Sequence, residues 1–164
     1  MVSQLRVHSR MCISQFADKM GLDGKRVLAV GIAGDPPPGE NHKWFGDKNK
    51  YETLDVDKNY NPSHVGDICS TEFTYDEFDL VILSNVIEHV WDFRGAIKEV
   101  HRITGEYAII DSPLQVCYHA DDEFGDYWRF TTSALKRLAE EVGFEVINEV
   151  QTLLMSSILC QKKK

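Results

Sequence analysis

The chain has 164 residues, 43% of them hydrophobic, a formal net charge of −8 and a pI near 5.2. This length suits one compact domain with its own core, and the negative charge disfavours nucleic-acid binding, which depends largely on lysine and arginine. No apolar run approaches the roughly 20 residues of a membrane helix, and singly scattered cysteines suit a reducing compartment. We therefore expect a single domain over residues 1–164 in the cytoplasm, without membrane or nucleic-acid partners.

Hydrophobic periodicity predicts the elements of an α/β domain. In the N-terminal segment 1–24, apolar side chains at helical spacing predict a packing helix over 3–20. Further helices are predicted around 42–46, over 92–102, where Gly105 ends the helix, and over 131–142, where Gly143 ends it. Apolar runs predict strands over 26–32, 51–57, 64–69, from Phe78 onward, 106–113, 144–151 and 156–161.

The order of these elements predicts the topology of the sheet. Phe78 to Pro113 forms a strand, helix and strand, which indicates parallel strands joined by a right-handed crossover. The two last strands are joined by a short turn and therefore form an antiparallel hairpin. We predict a Rossmann-like, doubly wound, mostly parallel seven-stranded sheet with a C-terminal hairpin and few helices. Residues 114–130 are too long for an ordinary connection and predict a lid-like loop.

Residues at the strand ends indicate a nucleoside site. Gly31 follows the first strand, and Asp55 follows 24 residues later at the end of the second. Such a glycine permits close approach of a ligand, and such a carboxylate accepts hydrogen bonds from ribose hydroxyls. The phosphate-binding patterns G-x-G-x-x-G and G-x-x-x-x-G-K-[ST] are absent, and three prolines over 36–38 prevent a helix from starting at the turn. The pattern therefore favours a nucleoside without phosphates.

A series of motifs in the same order resembles a known family, the class I S-adenosylmethionine-dependent methyltransferases, in particular their small-molecule branch often called type 11. The resemblance covers about residues 25–161. It implies methyl transfer from S-adenosylmethionine to a small-molecule acceptor. The motifs are Val27–Gly31, Thr53–Asp55, Gly66–Ile68, Phe78–Val81 with Ile87–Val90, Glu99–Ile103 and Gly143–Phe144.

The resemblance implies a role for each residue at the start of the cofactor pocket. Gly31, Ala33 and Gly34 would border the methionine part of the cofactor. Asp55, followed by Val56, would bind the ribose hydroxyls. From the residues alone, an alternative for Gly31 is a tight turn only, and an alternative for Asp55 is to cap its strand end or to pair with a surface base.

The resemblance places four further residues at the adenine and methyl ends of the cofactor. Asp67 would accept a hydrogen bond from the adenine amino group, and the backbone of Ile68 would lie beside the adenine ring. Ser84 and Asn85 would face the methyl donor. An alternative for Asp67 is a purely structural Asx-turn.

The glycine turn departs from the pattern of the family. Ala29 stands where an acidic residue is usual, Ala33 where a second glycine is usual, and Asp35 where a third is common. These departures motivate an alternative hypothesis, a cofactor-binding pseudo-enzyme or regulatory module without turnover.

The candidates for proton transfer and acceptor binding follow the cofactor residues. If the acceptor must lose a proton, Glu88, His89 or His119 could act as base, although His89 could equally be a packing histidine.

A motif over 126–131 also resembles this branch. In it, Tyr127, Trp128 and Arg129 could contact the acceptor, or Arg129 could staple the loop. No recognised ligand spacing indicates a metal. A second subunit is a candidate for closing the pocket, as a homodimer.

Overall fold

The computed structural model of the protein describes residues 2–31, 42–45, 47–116, 118 and 125–163. One seven-stranded sheet runs through this part of the chain, in the order β3-β2-β1-β4-β5-β7-β6. The strands are β1 (Arg26–Val30), β2 (Lys50–Asp55), β3 (His64–Val65), β4 (Phe78–Ser84), β5 (Thr104–Pro113), β6 (Phe144–Gln151) and β7 (Met155–Lys162). The helices are α1 (Val2–Met20), α2 (His42–Phe45), α3 (Phe93–Ile103) and α4 (Thr132–Val142).

The pairing of the strands confirms the predicted fold class. Strands β1 to β5 pair in parallel, while β7 pairs antiparallel with both β5 and β6. Only short 3₁₀ turns, such as Lys58–Tyr60, occupy the connections around β3. The described chain therefore has few helices, as the sequence predicts.

Helices cover both faces of the sheet. On one face, α1 buries Cys12, Ile13 and Phe16 against the apolar side chains of β4, β5 and β7. On the other face, the apolar stripes of α3 and α4 pack on the alternate side chains of the same strands. Burying a large aliphatic or aromatic side chain contributes about 1.5–3 kcal/mol. Because both faces are apolar, the polar groups of the central strands lie mainly at the strand ends.

Two boundary predictions are wrong. The third strand ends at Val65 and does not extend to residue 69, because the Asp67 side chain accepts the backbone N–H of Cys69 at 2.8 Å and turns the chain. Gly105 does not end α3: the helix ends at Ile103, where Thr104 turns into β5 while its hydroxyl donates to the Val100 carbonyl at 2.6 Å. Gly105 instead lies within β5.

Gly31 allows the end of β1 to contact the loop after β4. Its φ is +75°, and a Cβ placed on it would lie 2.2 Å from Cγ2 of Val86. Its N–H donates to the Leu54 carbonyl of β2 at 2.9 Å. The structure therefore supports a packing role for this glycine, and that packing fixes the distance between the ends of β1 and β4.

Replacing Gly31 by alanine should destabilise the protein more than the same change at Gly21. Gly21 also has a positive φ, of +57°, but an added Cβ meets no atom within 4 Å. Gly21→Ala should therefore lower the free energy of unfolding only by the strain of a left-handed alanine, about 1–2 kcal/mol. Gly31→Ala should lower it further, because the added Cβ also collides with Val86. Urea unfolding measures both losses, and Val86→Ala should recover part of the second. Equal losses at the two glycines would contradict this explanation.

Candidate active site

The carboxyl ends of β1, β2 and β4 lie side by side and bring together residues from distant parts of the sequence. Because β2, β1 and β4 are neighbours in the sheet, Gly31, Asp55 and Ser84 lie at one edge. The backbone N–H of Gly66 donates to the Asp55 carbonyl at 2.9 Å and places the loop after β3 at the same edge. Parallel sheets bind their ligands at this edge. We call these strand ends and the residues that follow them the rim.

Asp55 is the carboxylate at the end of β2. It is only 5% exposed, and its Oδ1 accepts the backbone N–H of Asp57 at 2.9 Å. Val56, directly after it, is exposed. The structure thus places an ordered carboxylate where the sequence predicts a ribose-binding group.

Asp67 and Ile68 lie in the turn after β3. Asp67 is exposed, and its Oδ1 accepts the backbone N–H of Cys69, which is the Asx-turn of the structural alternative. Ile68 is buried in the core. Only the backbone of Ile68 is therefore available for contact beside a bound ring.

Ser84 and Asn85 end β4 and are held by Asp111 of β5. Asp111 Oδ1 accepts the Ser84 hydroxyl and the Asn85 backbone N–H, each at 3.0 Å. Asp111 Oδ2 accepts the hydroxyl of Ser9 from α1 at 2.7 Å. Asn85 has a left-handed backbone, with φ +53°. The sequence shows an acid at the end of an apolar strand, but it does not identify Ser9 as its partner.

Glu88 and His89 lie in a 3₁₀ turn, Ile87–His89, after β4. Glu88 is fully buried, and neither of its carboxyl oxygens has a hydrogen-bond partner among the described residues. Burial raises the pKa of Glu88 well above its ordinary value, and the nearby charge of Asp111 raises it further, although Arg129 opposes the shift. Burial therefore favours the protonated, uncharged form of the Glu88 carboxyl group.

His89 has a defined tautomer. Its Nδ1 lies 2.5 Å from the Gly125 carbonyl, which can only accept, so Nδ1 carries the proton. Its Nε2 lies 3.7 Å from Glu88 Oε1. The neutral ring therefore has its basic nitrogen at Nε2.

The segment over 125–130 is fastened to this 3₁₀ turn. The backbone N–H groups of Tyr127 and Trp128 donate to the Glu88 carbonyl at 2.9 and 3.2 Å, and the Trp128 indole N–H donates to the Val90 carbonyl at 3.1 Å. Arg129 pairs with both oxygens of the buried Asp126 carboxylate. These contacts favour the alternative in which Trp128 and Arg129 hold the segment in place.

An aromatic pair on this segment is exposed. Tyr127 is 49% exposed and lies edge-on to Trp91, which is 71% exposed, at a centroid distance of 5.4 Å. Trp91 also contacts Trp128 at 5.4 Å. Trp91 is not among the predicted site residues; its signal in the sequence is an aromatic residue directly after the polar turn that follows β4.

Comparisons with known proteins agree with this architecture. A family model described as a methyltransferase domain matches residues 42–108. A comparison with curated protein sequences found no match.

Three solved structures illustrate the structural likeness. One is a 1,6-didemethyltoxoflavin-N1-methyltransferase from Burkholderia thailandensis, with a TM-score of 0.69 and 12% identity over 98% of this chain and 78% of that chain. A magnesium protoporphyrin IX methyltransferase from Synechocystis PCC 6803 has a TM-score of 0.72 and 9% identity over 99% and 84%. A SAM-dependent methyltransferase from Aquifex aeolicus has a TM-score of 0.66 and 13% identity over 92% and 89%.

The chain has the class I methyltransferase fold. The family match and the fold confirm the resemblance that the ordered motifs predict. In this methyltransferase fold the rim contains Gly31, Asp55, Ser84 and Asn85, as the motifs imply.

Some predicted site residues of this methyltransferase fold lie outside the described residues, namely Ala33, Gly34 and His119. Within the described ranges, no group of three or more histidine, cysteine, aspartate or glutamate side chains is arranged to hold a metal. No helix in the same ranges is both long enough and apolar enough to cross a bilayer.

Glu88→Gln should change how the stability of this methyltransferase fold depends on pH. Because the pKa of Glu88 is raised in the folded state, the folded protein binds more protons than the unfolded chain. The wild type therefore loses stability as pH rises from about 4.3, the pKa of an unfolded glutamate, towards the raised folded pKa. Relative to wild type, Glu88→Gln should gain up to about 1.4 kcal/mol per pH unit in this window, measured by urea unfolding from pH 4.5 to 7.5.

Glu99→Gln is the matched control for that experiment. Hydrogen bonds from Arg102 and Thr71 hold the pKa of Glu99 below its ordinary value despite partial burial. Its stabilising contribution is fully present above the unfolded pKa of about 4.3 and is lost only below it, so the stability difference between wild type and Glu99→Gln should stay nearly constant from pH 4.5 to 7.5. A difference between wild type and Glu88→Gln that does not vary with pH would contradict the raised pKa of Glu88.

Proposed function

We propose that the protein transfers a methyl group from S-adenosylmethionine to a small-molecule acceptor. The observation that carries the proposal is the nearly buried Asp55 carboxylate at the end of β2, beside the Gly31 turn of β1, within the class I methyltransferase fold. Two structural neighbours, the Burkholderia and Synechocystis methyltransferases, support the cofactor, since both have bound S-adenosylhomocysteine. The Burkholderia enzyme also has bound 1,6-didemethyltoxoflavin, a small molecule.

The residues of the rim fit an adenosyl group without phosphates. A carboxylate accepts two hydrogen bonds from a ribose diol, a role we assign to Asp55. The Ile68 backbone would lie beside the adenine ring, and the exposed Asp67 would accept a hydrogen bond from the adenine amino group. When bound, the cofactor would supply a methyl group on a positively charged sulfur. The sulfur–methyl bond breaks as the acceptor bonds to the methyl carbon, and the sulfur is left as a neutral thioether.

The chain itself has to orient the acceptor and remove its proton where one is lost. Positioning alone can lower a barrier by about 7–11 kcal/mol. We assign acceptor contact to the exposed rings of Tyr127 and Trp91, because Trp128 and Arg129 are engaged in holding the segment.

Among the described candidates, His89 is a better general base than Glu88. Glu88 is fully buried, which favours its uncharged form, whereas His89 is partly exposed and has its basic nitrogen at Nε2. The hydrogen bond from Nδ1 to Gly125 fixes the ring and therefore the direction of Nε2. An acceptor proton would move to this atom.

Asp55→Ala should weaken the binding of S-adenosylhomocysteine by about 1.5–3 kcal/mol, because a charged acceptor of hydrogen bonds is lost. This corresponds to a roughly ten- to hundredfold higher Kd in isothermal titration calorimetry. Asp57→Ala is the matched control: its carboxylate caps the neighbouring 3₁₀ turn by accepting the Asn59 N–H, and its removal should change the Kd by less than about twofold. An unchanged Kd in Asp55→Ala would remove Asp55 from the pocket.

Turnover distinguishes an enzyme from a pseudo-enzyme. The wild-type chain, incubated with methyl-labelled S-adenosylmethionine and a metabolite extract, should transfer label to small molecules and release S-adenosylhomocysteine, as detected by mass spectrometry. Tight binding of the cofactor without any label transfer would contradict methyl transfer and favour the pseudo-enzyme.

A further inference from the structure

Asp111 is a buried anion directly behind the end of β4. It pairs with Ser84 across the sheet and is fully buried. Its hydrogen-bond donors within the described residues are the hydroxyls of Ser9 and Ser84 and the backbone N–H of Asn85. No lysine, arginine or histidine of the described chain is bonded to this carboxylate.

The three donors keep Asp111 charged despite its burial. Burial raises the pKa of Asp111 to about 6, while the hydrogen bonds from Ser9, Ser84 and Asn85 limit the shift. The carboxylate is therefore ionised above neutral pH. A buried negative charge without a cation is costly in a protein interior, so a positive charge that binds beside it is favoured.

An unsatisfied polar atom lies at the same strand end. The side-chain Oδ1 of Asn85 is buried and has no hydrogen-bond partner among the described residues, and the Asn85 backbone is left-handed. Asp111 holds this backbone through the Asn85 N–H at 3.0 Å. Within the part of the chain that the structure describes, the end of β4 therefore has a fixed negative charge and an amide oxygen without a hydrogen-bond partner, and no positive group is bonded to either.

We propose that Asp111, acting through Ser84 and Asn85, makes the end of β4 bind the positively charged sulfonium of S-adenosylmethionine in preference to the neutral thioether of S-adenosylhomocysteine. The inference rests on the proposed function and on the family resemblance, which implies that Ser84 and Asn85 face the methyl donor. Asp111 is a positioning residue, since its full burial keeps it from touching either ligand. This preference would let the product S-adenosylhomocysteine dissociate more readily than S-adenosylmethionine.

The described titratable groups near Asp111 are either uncharged or paired with another residue, so Asp111 supplies the negative charge at this strand end. From α1, Cys12 lies near it as a neutral thiol, because burial raises the pKa of that thiol. In the 3₁₀ turn after β4, burial raises the pKa of Glu88 and favours its uncharged form. From β7, Ser157 pairs with Asp111 across the sheet. Arg129, which opposes the shift of Glu88, is bonded to Asp126.

The test is the ratio of the two dissociation constants, measured by calorimetry at pH 7.5. Both ligands carry the same adenosine and the same amino acid, so the ratio isolates the charge on sulfur. In Asp111→Asn, the preference for S-adenosylmethionine should fall about tenfold, the effect of one pKa unit of charge interaction. Binding of S-adenosylhomocysteine should change much less.

Ser9→Ala is a graded variant, because loss of the Ser9 hydrogen bond raises the pKa of Asp111 and so reduces its charge at pH 7.5. Its ratio should lie between those of the wild type and Asp111→Asn. If Asp111→Asn binds both ligands with an unchanged ratio, or weakens both equally, Asp111 has only a structural role and the inference is overturned while the proposed function stands.

A measurement on the wild type covers the case in which Asp111→Asn does not fold. The preference for S-adenosylmethionine should decline as pH falls from 7.5 through about 6, where Asp111 becomes protonated. A ratio that stays constant down to pH 5 overturns the inference. If the wild type binds neither ligand at millimolar concentration, the proposed function fails, and the inference fails with it.

Discussion

The burial of both faces of one parallel sheet is the constraint on which the rest of the structure depends. With α1 on one face and α3 and α4 on the other, β4 and the adjoining half of β5 have almost no solvent-facing side in which to place polar side chains. Polar and ionisable residues of these strands must therefore lie at the carboxyl edge or be hydrogen-bonded within the protein. The same constraint that builds the core thus concentrates Asp55, Ser84 and Asp111 at one edge.

Packing fixes the shape of this edge. Gly31 sets the approach of β1 to Val86, and the Ser9 hydroxyl joins α1 to the carboxylate behind β4. The segment over 125–130 is fastened by its backbone to the turn that contains Glu88 and His89. Groups held this way need little reorganisation when a ligand binds, which is how a protein without a covalent nucleophile can promote a transfer between two bound molecules.

Apolar periodicity and the ordered motifs are local features of the sequence and can be recognised without the tertiary structure. They predicted the sheet, the order of its elements and the residues that lie at the rim. They misplaced the end of β3 and the role of Gly105, where local hydrogen bonds from Asp67 and Thr104 outweighed residue propensity. The Ser9 contact with Asp111 joins residues 102 positions apart. No spacing rule predicts such a contact, since it exists only after α1 has packed on the sheet.

The central claim is that the rim of this sheet holds an adenosyl group through the Asp55 carboxylate. A crystal structure of the protein grown with S-adenosylhomocysteine tests it most directly. The account predicts density for the adenosyl group over the ends of β1 and β2, with both ribose hydroxyls within about 3.2 Å of the Asp55 oxygens. Density elsewhere on the protein, or a ribose that does not contact Asp55, would contradict the account.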